Sequence, residues 1–314
     1  MSPSGGDTAA RFVYSPDYCC DIGAHVFRTD KYRLLRDAMV GAGLVAADDF
    51  IPPEPATRED LELVHTPAYL DDLFSYCHTP RTVLSEMPIS RRIVEAFALG
   101  AGGTMLACRL AMRERTFAMN LAGGFHHAFP GWAEGFCYIN DVALGVQKVR
   151  REGLAGRAMV VDCDLHQGNG TAYVFRDEPE VFTFSIHEEA LYPLKRRSDL
   201  DVGLPSFCTG ERYLGELERH LLPALDAHRP EFVLYVAGAD PYVQDQLGTL
   251  ALSMEDLKRR DETVLGACAE RGIPAAVTLA GGYAPRVEDT VRIHFGTART
   301  LVELAGALRR PDDG

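Results

Sequence analysis

The chain has no Cys-x-x-Cys pair and only one tryptophan, and its basic residues are fewer than its acidic ones, 32 against 45. Each shortage excludes something. The eight cysteines (Cys19, Cys20, Cys77, Cys108, Cys137, Cys163, Cys208 and Cys268) follow no regular framework. Several lie in apolar stretches, where a free thiol behaves as a small hydrophobe. They read as reduced thiols of a cytoplasmic protein, not as a disulfide scaffold. The net charge is −13 and the longest basic cluster is Lys195-Arg196-Arg197, so direct nucleic-acid binding is not expected. An acidic surface instead tolerates cationic substrates. No run approaches ~18 uninterrupted apolar residues, so no membrane span is expected. The opening MSPSGGDTAARF lacks the charged region and apolar core of a secretory leader. Linkers, repeats and composition shifts are also missing. A single domain over residues 11–309 is expected, with loose ends at 1–10 and 310–314.

What the sequence does contain is a regular alternation. Short apolar runs at 11–15, 116–121, 157–163, 181–186, 231–237 and 275–280 are almost free of charge inside. That pattern suits strands buried on both faces of a parallel sheet. The segments 29–42, 90–113, 140–152, 211–227, 254–271 and 286–306 read as helices, with Ser253 to Asp256 as a capping box. Alternating strands and helices predict an α/β fold with a mainly parallel central sheet flanked by helices. Ligands of such sheets bind beyond the carboxyl ends of the strands.

Four predicted strands deliver glycine together with His, Asp or Tyr to that edge: AGGFHHAF (122–129), DCDLHQGNG (162–170), GAD (238–240) and AGGYAP (280–285). In an extended chain Asp162, Asp164 and His166 share one face. Buried carboxylates are costly unless a cation or hydrogen bonds compensate them. Taken alone, this segment also suits a satisfied polar turn. Asp240 adds another acid at a strand end. Two carboxylates and one His make a three-ligand hydrolytic zinc site with the fourth position left for water. His126 and His127, adjacent after two glycines, could exchange a proton with that water. Tyr283 could donate to an oxyanion, or simply pack.

In this order and spacing GGFHHA, GFCYIND (135–141), VDCDLHQGNG (161–170), GAD and GGY resemble the histone deacetylase superfamily, over about Tyr14 to Arg299. GAHVFRTDKYRLL (23–35) and DQLG (245–248) look most like class IV and related bacterial members. The resemblance implies a single α/β domain of the arginase–deacetylase type. It implies one zinc ion on Asp164, His166 and Asp240, His127 as general base and acid, and His126 as its dyad partner with Asp162 behind. Tyr283 would polarise the scissile carbonyl. Phe136 and Tyr192 would wall the acyl-lysine tunnel, with Gly135 lining it. A potassium ion would sit near Asp162, Ser185 and the backbone oxygens of Asp164 and His166.

Departures from the family pattern are informative. Class I members usually carry Asp where this chain has Asn169, behind His127, and a neutral Asn stabilises imidazolium less. Class IV members share the Asn. By the resemblance Glu86 would replace the rim acid that grips the substrate backbone in class I, or it is a surface Glu, and 195–201 is expected to shape the rim. Leu247 looks into the mouth where polyamine deacetylases tend to place Glu. The implied substrate is an acetyl or longer acyl group on protein lysines; the alternative is an acetylpolyamine or another small amide.

Overall fold

The computed structural model describes residues 10–308. Its strands are β1 (Arg11–Val13), β2 (Phe50–Ile51), β3 (Phe117–Asn120), β4 (Ala158–Asp162), β5 (Val181–Glu188), β6 (Leu200–Leu204), β7 (Phe232–Val236) and β8 (Ala275–Thr278). They form one sheet in the order β2-β1-β3-β8-β7-β4-β5-β6, with every pairing parallel. The helices are α1 (Asp30–Gly41), α2 (Arg58–Leu61), α3 (Pro67–Leu73), α4 (Arg91–Glu114), α5 (Asp141–Arg151), α6 (Asn169–Phe175), α7 (Gly210–His228), α8 (Met254–Glu270) and α9 (Val287–Ala305). The single α/β domain predicted from the alternation is what forms. The capping box at Ser253 and Asp256 opens α8.

Strand alternation divides the core in two. Ala118, Val160, Leu234 and Ala276 join one cluster with Cys108, Val142 and Val146, under α4 and α5. Met119, Met159, Val161, Tyr235 and Val277 join the other with Leu35, Leu257 and Val291, under α1, α8 and α9. Both faces of the inner strands are therefore apolar, which is why their sequences read as continuous hydrophobic runs. Helix α4 is long and apolar enough to cross a membrane, yet its apolar residues lie mostly inside this core.

Some expectations need correction. The edge strands β2 and β6 lie outside the predicted set, as do α2, α3 and α6. The segment 195–201, expected to shape the rim, does not itself line the cavity described below. Its Arg196 backbone and Asp201 carboxylate instead hold both ends of the Gln167 amide, at 2.5–2.8 Å. Ala10, assigned to a loose end, is buried. The rest of that segment, together with 309–314, lies outside the described residues.

One fully buried ion pair braces the site from behind. Arg260 meets Asp261 at 2.8 Å, and its guanidinium donates to the Gly238 and Cys163 carbonyls at 2.5 and 3.3 Å. Tyr235 and Thr297 complete the Asp261 carboxylate at 2.5 and 2.6 Å. Removing one member of such a pair leaves an uncompensated charge, typically costing ~3–5 kcal/mol.

Candidate active site

β3, β8, β7 and β4 are successive neighbours in the sheet, so the four loops at their carboxyl ends meet. The loop after β3 is held from both sides by the end of GFCYIND. Asp141 accepts the N–H groups of Gly124 and Phe125 at 3.0 and 2.6 Å. Asn140 donates to the carbonyls of His126 and Ala128 at 3.3 and 2.9 Å. The Asn140 N–H in turn donates to His65 Nε2 at 3.0 Å, while His65 Nδ1 donates to the Phe129 carbonyl at 3.1 Å.

That arrangement has a measurable consequence. Both His65 nitrogens are used only in the neutral ring, and burial drops its pKa from 6.5 to about 4. Between those values the unfolded chain binds a proton that the folded chain refuses, so stability rises with pH through this window. The contribution is at most about 3 kcal/mol. Urea midpoints from pH 4.5 to 7 should climb less steeply in His65→Gln than in the wild type. Parallel curves would assign the acid sensitivity to other groups.

After β4 the chain does not stay extended. The strand ends at Asp162, and bends carry the next residues inward. Asp162 Oδ1 accepts the Asp164 N–H at 3.1 Å, and Asp164 Oδ1 accepts the His166 N–H at 2.9 Å. Two successive Asx turns, not the strand period, thus bring Asp164 and His166 toward Asp240. After β7, Asp240 Oδ1 accepts the Leu165 N–H at 3.0 Å. After β8, the Gly281 N–H donates to Asp164 Oδ2 at 2.8 Å. Tyr283 is clamped by its backbone. Its N–H donates to Asp245 at 2.7 Å, and Gln246 donates to its carbonyl at 2.5 Å.

Asp164, His166 and Asp240 are all buried, with one potential ligand atom from each within 4.8 Å of the others. Asp240 Oδ2 has no hydrogen-bond partner among the described residues. Burial and the charge of Asp164 push Asp240 up to about 6. Burial disfavours a charged His166, but the carboxylates of Asp164 and Asp240, each 3.3 Å from its Nδ1, prevail and lift it to about 10. Two neighbouring buried carboxylates, one with an orphaned oxygen, and one imidazole fit a divalent cation.

Next to this group stands a histidine pair. His126 donates from Nδ1 to Asp162 at 2.7 Å, and its Nε2 lies 3.1 Å from His127 Nε2. His127 Nδ1 lies 2.8 Å from Asn169 Oδ1. Burial opposes charge on both rings, but Asp162 and Asp164 lift His126 to about 9. Burial and the neighbours His126 and His166 hold His127 well below its usual range. The pair is therefore split into one cationic and one neutral ring.

A cavity of about 200 Å³ opens onto His127, His166 and Tyr283. Phe136, Tyr192, Leu191 and Leu247 give it apolar walls, with Glu86 also lining it. Gly135 and Phe136 form a two-residue turn between Glu134 and Cys137, both at positive φ (49° and 62°). A Cβ at Gly135 would meet the His127 ring at 2.7 Å and the Tyr192 hydroxyl at 2.8 Å. Glycine there keeps the wall thin beside the dyad.

Residues 25–297 match the histone deacetylase domain model. The chain belongs to the histone deacetylase family. Histone deacetylase 2 of Arabidopsis thaliana is 31% identical over 92% of this chain and 76% of its own length. The acetoin utilization protein AcuC of Bacillus subtilis is 27% identical over 81% and 72%. An uncharacterized protein of Picosynechococcus sp. is 41% identical over 90% and 95%. The crystal structure of the HDA15 HD domain superposes with a TM-score of 0.79 at 22% identity, covering 94% of this chain and 92% of its own, and shows the same fold.

The histone deacetylase motifs thus bring every predicted metal, dyad and tunnel residue to one place. Asp162 and Ser185 are register partners on β4 and β5, with Ser185 Oγ 2.9 Å from His187 Nδ1. Other residues gave no isolated signal. Lys31 is fully buried in α1, donates to the Ala280 carbonyl at 2.8 Å and lies 6.0 Å from the centre of the Tyr283 ring. Asp245, Gln246 and Gln167 are supports of the same kind; all three lay inside quoted motifs, yet nothing in those motifs marked them as supports.

Proposed function

We propose that this chain is a zinc-dependent hydrolase that removes acetyl or longer acyl groups from lysine side chains of proteins or peptides. The observation that carries the reading is the apolar-walled cavity of about 200 Å³ that His127, His166 and Tyr283 also line. A lysine side chain is a four-carbon stem, which suits such walls, while the acyl amide reaches the polar floor. Asp164, His166 and Asp240 would hold the zinc. When bound, that ion supplies Lewis-acid chemistry, polarising the amide carbonyl and acidifying a water.

The remaining steps belong to side chains. His127 takes the water's proton at Nε2 and returns it to the leaving amine, so that lysine departs neutral. His126, cationic beside Asp162, stabilises the developing negative charge. Tyr283 donates to the carbonyl oxygen as it gains charge. A potassium ion beside Asp162 and Ser185 belongs to the same reading, and their adjacency across β4 and β5 supports it.

The test is a panel of acyl-lysine peptides and acetylpolyamines of graded length, with and without chelator. Acyl-lysine peptides should lead, because Leu247 offers a secondary ammonium no partner and a desolvated cation without one is costly. Leu247→Glu should shift kcat/KM toward acetylspermidine by ~1–3 kcal/mol, the scale of a charged hydrogen bond. A wild-type preference for acetylpolyamines over every peptide would replace the lysine reading with the small-amide one.

A further inference from the structure

Behind His127, where class I members usually carry a carboxylate, this chain has an amide, Asn169, yet a carboxylate stands one residue further out. Asn169 Nδ2 donates to Glu134 Oε1 at 2.7 Å. We propose that Glu134 is a positioning residue for His127, acting through Asn169 as the end of a His127–Asn169–Glu134 relay. The role rests on His127 being the proton carrier of the proposed hydrolysis.

The argument begins with the amide's ambiguity. The oxygen and nitrogen of an Asn side chain have nearly the same shape, so hydrogen-bond partners decide its orientation. An ionised Glu134 only accepts, and the Gly170 N–H, 3.0 Å from Asn169 Oδ1, only donates. Reversing the amide would set oxygen against oxygen on one side and N–H against N–H on the other. Asn169 must therefore present Oδ1 to His127. That oxygen can only accept, so the His127 proton resides on Nδ1 and Nε2 keeps its lone pair, 3.1 Å from His126 Nε2. The reversed amide would select the opposite tautomer, which cannot act as a base at Nε2.

Glu134 also contributes charge. Hydrogen bonds with an ionised partner are about twice as strong as neutral ones, and linked hydrogen bonds polarise one another. The carboxylate on Nδ2 makes Oδ1 a better acceptor for the His127 Nδ1–H. Glu134 is itself anchored, accepting from Trp132 Nε1 at 3.1 Å and from the Tyr192 hydroxyl at 3.4 Å. It opens the turn whose next two residues, Gly135 and Phe136, line the cavity. Cavity wall and relay thus share one turn.

The relay makes Asn169 necessary because Glu134 is there. Asn169→Asp alone would put two carboxylates face to face and should lower kcat more than Glu134→Gln does. Glu134→Gln alone retains an acceptor for Asn169 and loses only the charge, so kcat should fall by about tenfold with KM within about twofold. When Glu134→Gln and Asn169→Asp are combined, the new amide donates to the new carboxylate, and that carboxylate faces His127. Relative to Asn169→Asp alone, kcat should then recover at least about tenfold. Additive losses, or losses confined to KM, would overturn the relay.

Ratios to wild type are read on whichever amide of the panel is turned over best, so a wrong substrate class is seen separately. A readout independent of turnover is histidine NMR on the zinc-loaded protein. The His127 Nδ1–H resonance should move upfield in Glu134→Gln while the melting temperature stays put. An unmoved resonance would reduce Glu134 to a surface anchor for Trp132 and Tyr192.

Discussion

His166→Ala is expected to abolish amide hydrolysis and to drop bound zinc from one ion per chain to none. The reason is electrostatic. His166 Nδ1 stands 3.3 Å from a carboxylate oxygen of each of Asp164 and Asp240. In the protein without metal, a proton on that imidazole supplies the positive charge the two buried acids need, consistent with its rise to about 10. A zinc ion held there would take over the same duty, so its binding would release protons and weaken as pH falls. Removing the ring removes both the ligand and the substitute cation. Asp164→Ala should give the same loss, since its carboxylate also fixes the His166 and Gly281 backbone. Zinc at about a hundred times its dissociation constant should stabilise the wild type by about 2.7 kcal/mol and leave the variants unmoved. Elemental analysis and thermal melts with and without zinc read both effects. A variant that kept full zinc and full turnover would remove Asp164, His166 and Asp240 from the metal assignment.

The parts of this fold that sequence made legible are those buried on both faces. β4 and β7 read as strands because every residue of Ala158–Asp162 and Phe232–Val236 is buried. β2 has two residues and β6 alternates buried with open positions around Gly203, so neither leaves a hydrophobic run. Site residues were legible where strand ends deliver them next to glycine. The spacing of Asp162, Asp164 and His166 pointed to side chains that do come together, but through the wrong geometry, because Asx turns and an extended strand can both bring alternate residues together. Lys31, Glu134 and Arg260 were hidden for another reason. A charged residue in an amphipathic helix or a loop looks like solvated surface until its partner, distant in sequence, is known. Lys31 and Ala280 are 249 positions apart, and Arg260 and Cys163 are 97 apart.

Tyr283→Phe should cut kcat by ~10²–10³, the scale for losing one oxyanion donor, with little change in KM. The substitution is clean because the ring is positioned by contacts the phenylalanine keeps. Its centroid lies 5.8 Å from that of Phe136 and 6.5 Å from that of Phe27. The loop is fixed through the backbone by Asp245 and Gln246, so removing the hydroxyl should leave its path unchanged. Burial, then the negative charge of Asp240 and Asp164, keeps the phenol well above 10. It therefore remains a donor across the working pH range. A donor that meets the carbonyl oxygen mainly as charge builds there lowers the barrier without tightening the ground state, and for that reason the loss should appear in kcat. Steady-state kinetics on the best acyl-lysine peptide, with zinc content and melting temperature unchanged, isolates the hydroxyl. An unaltered kcat would make Tyr283 a packing residue of the cavity wall, and the oxyanion would then need its donors elsewhere.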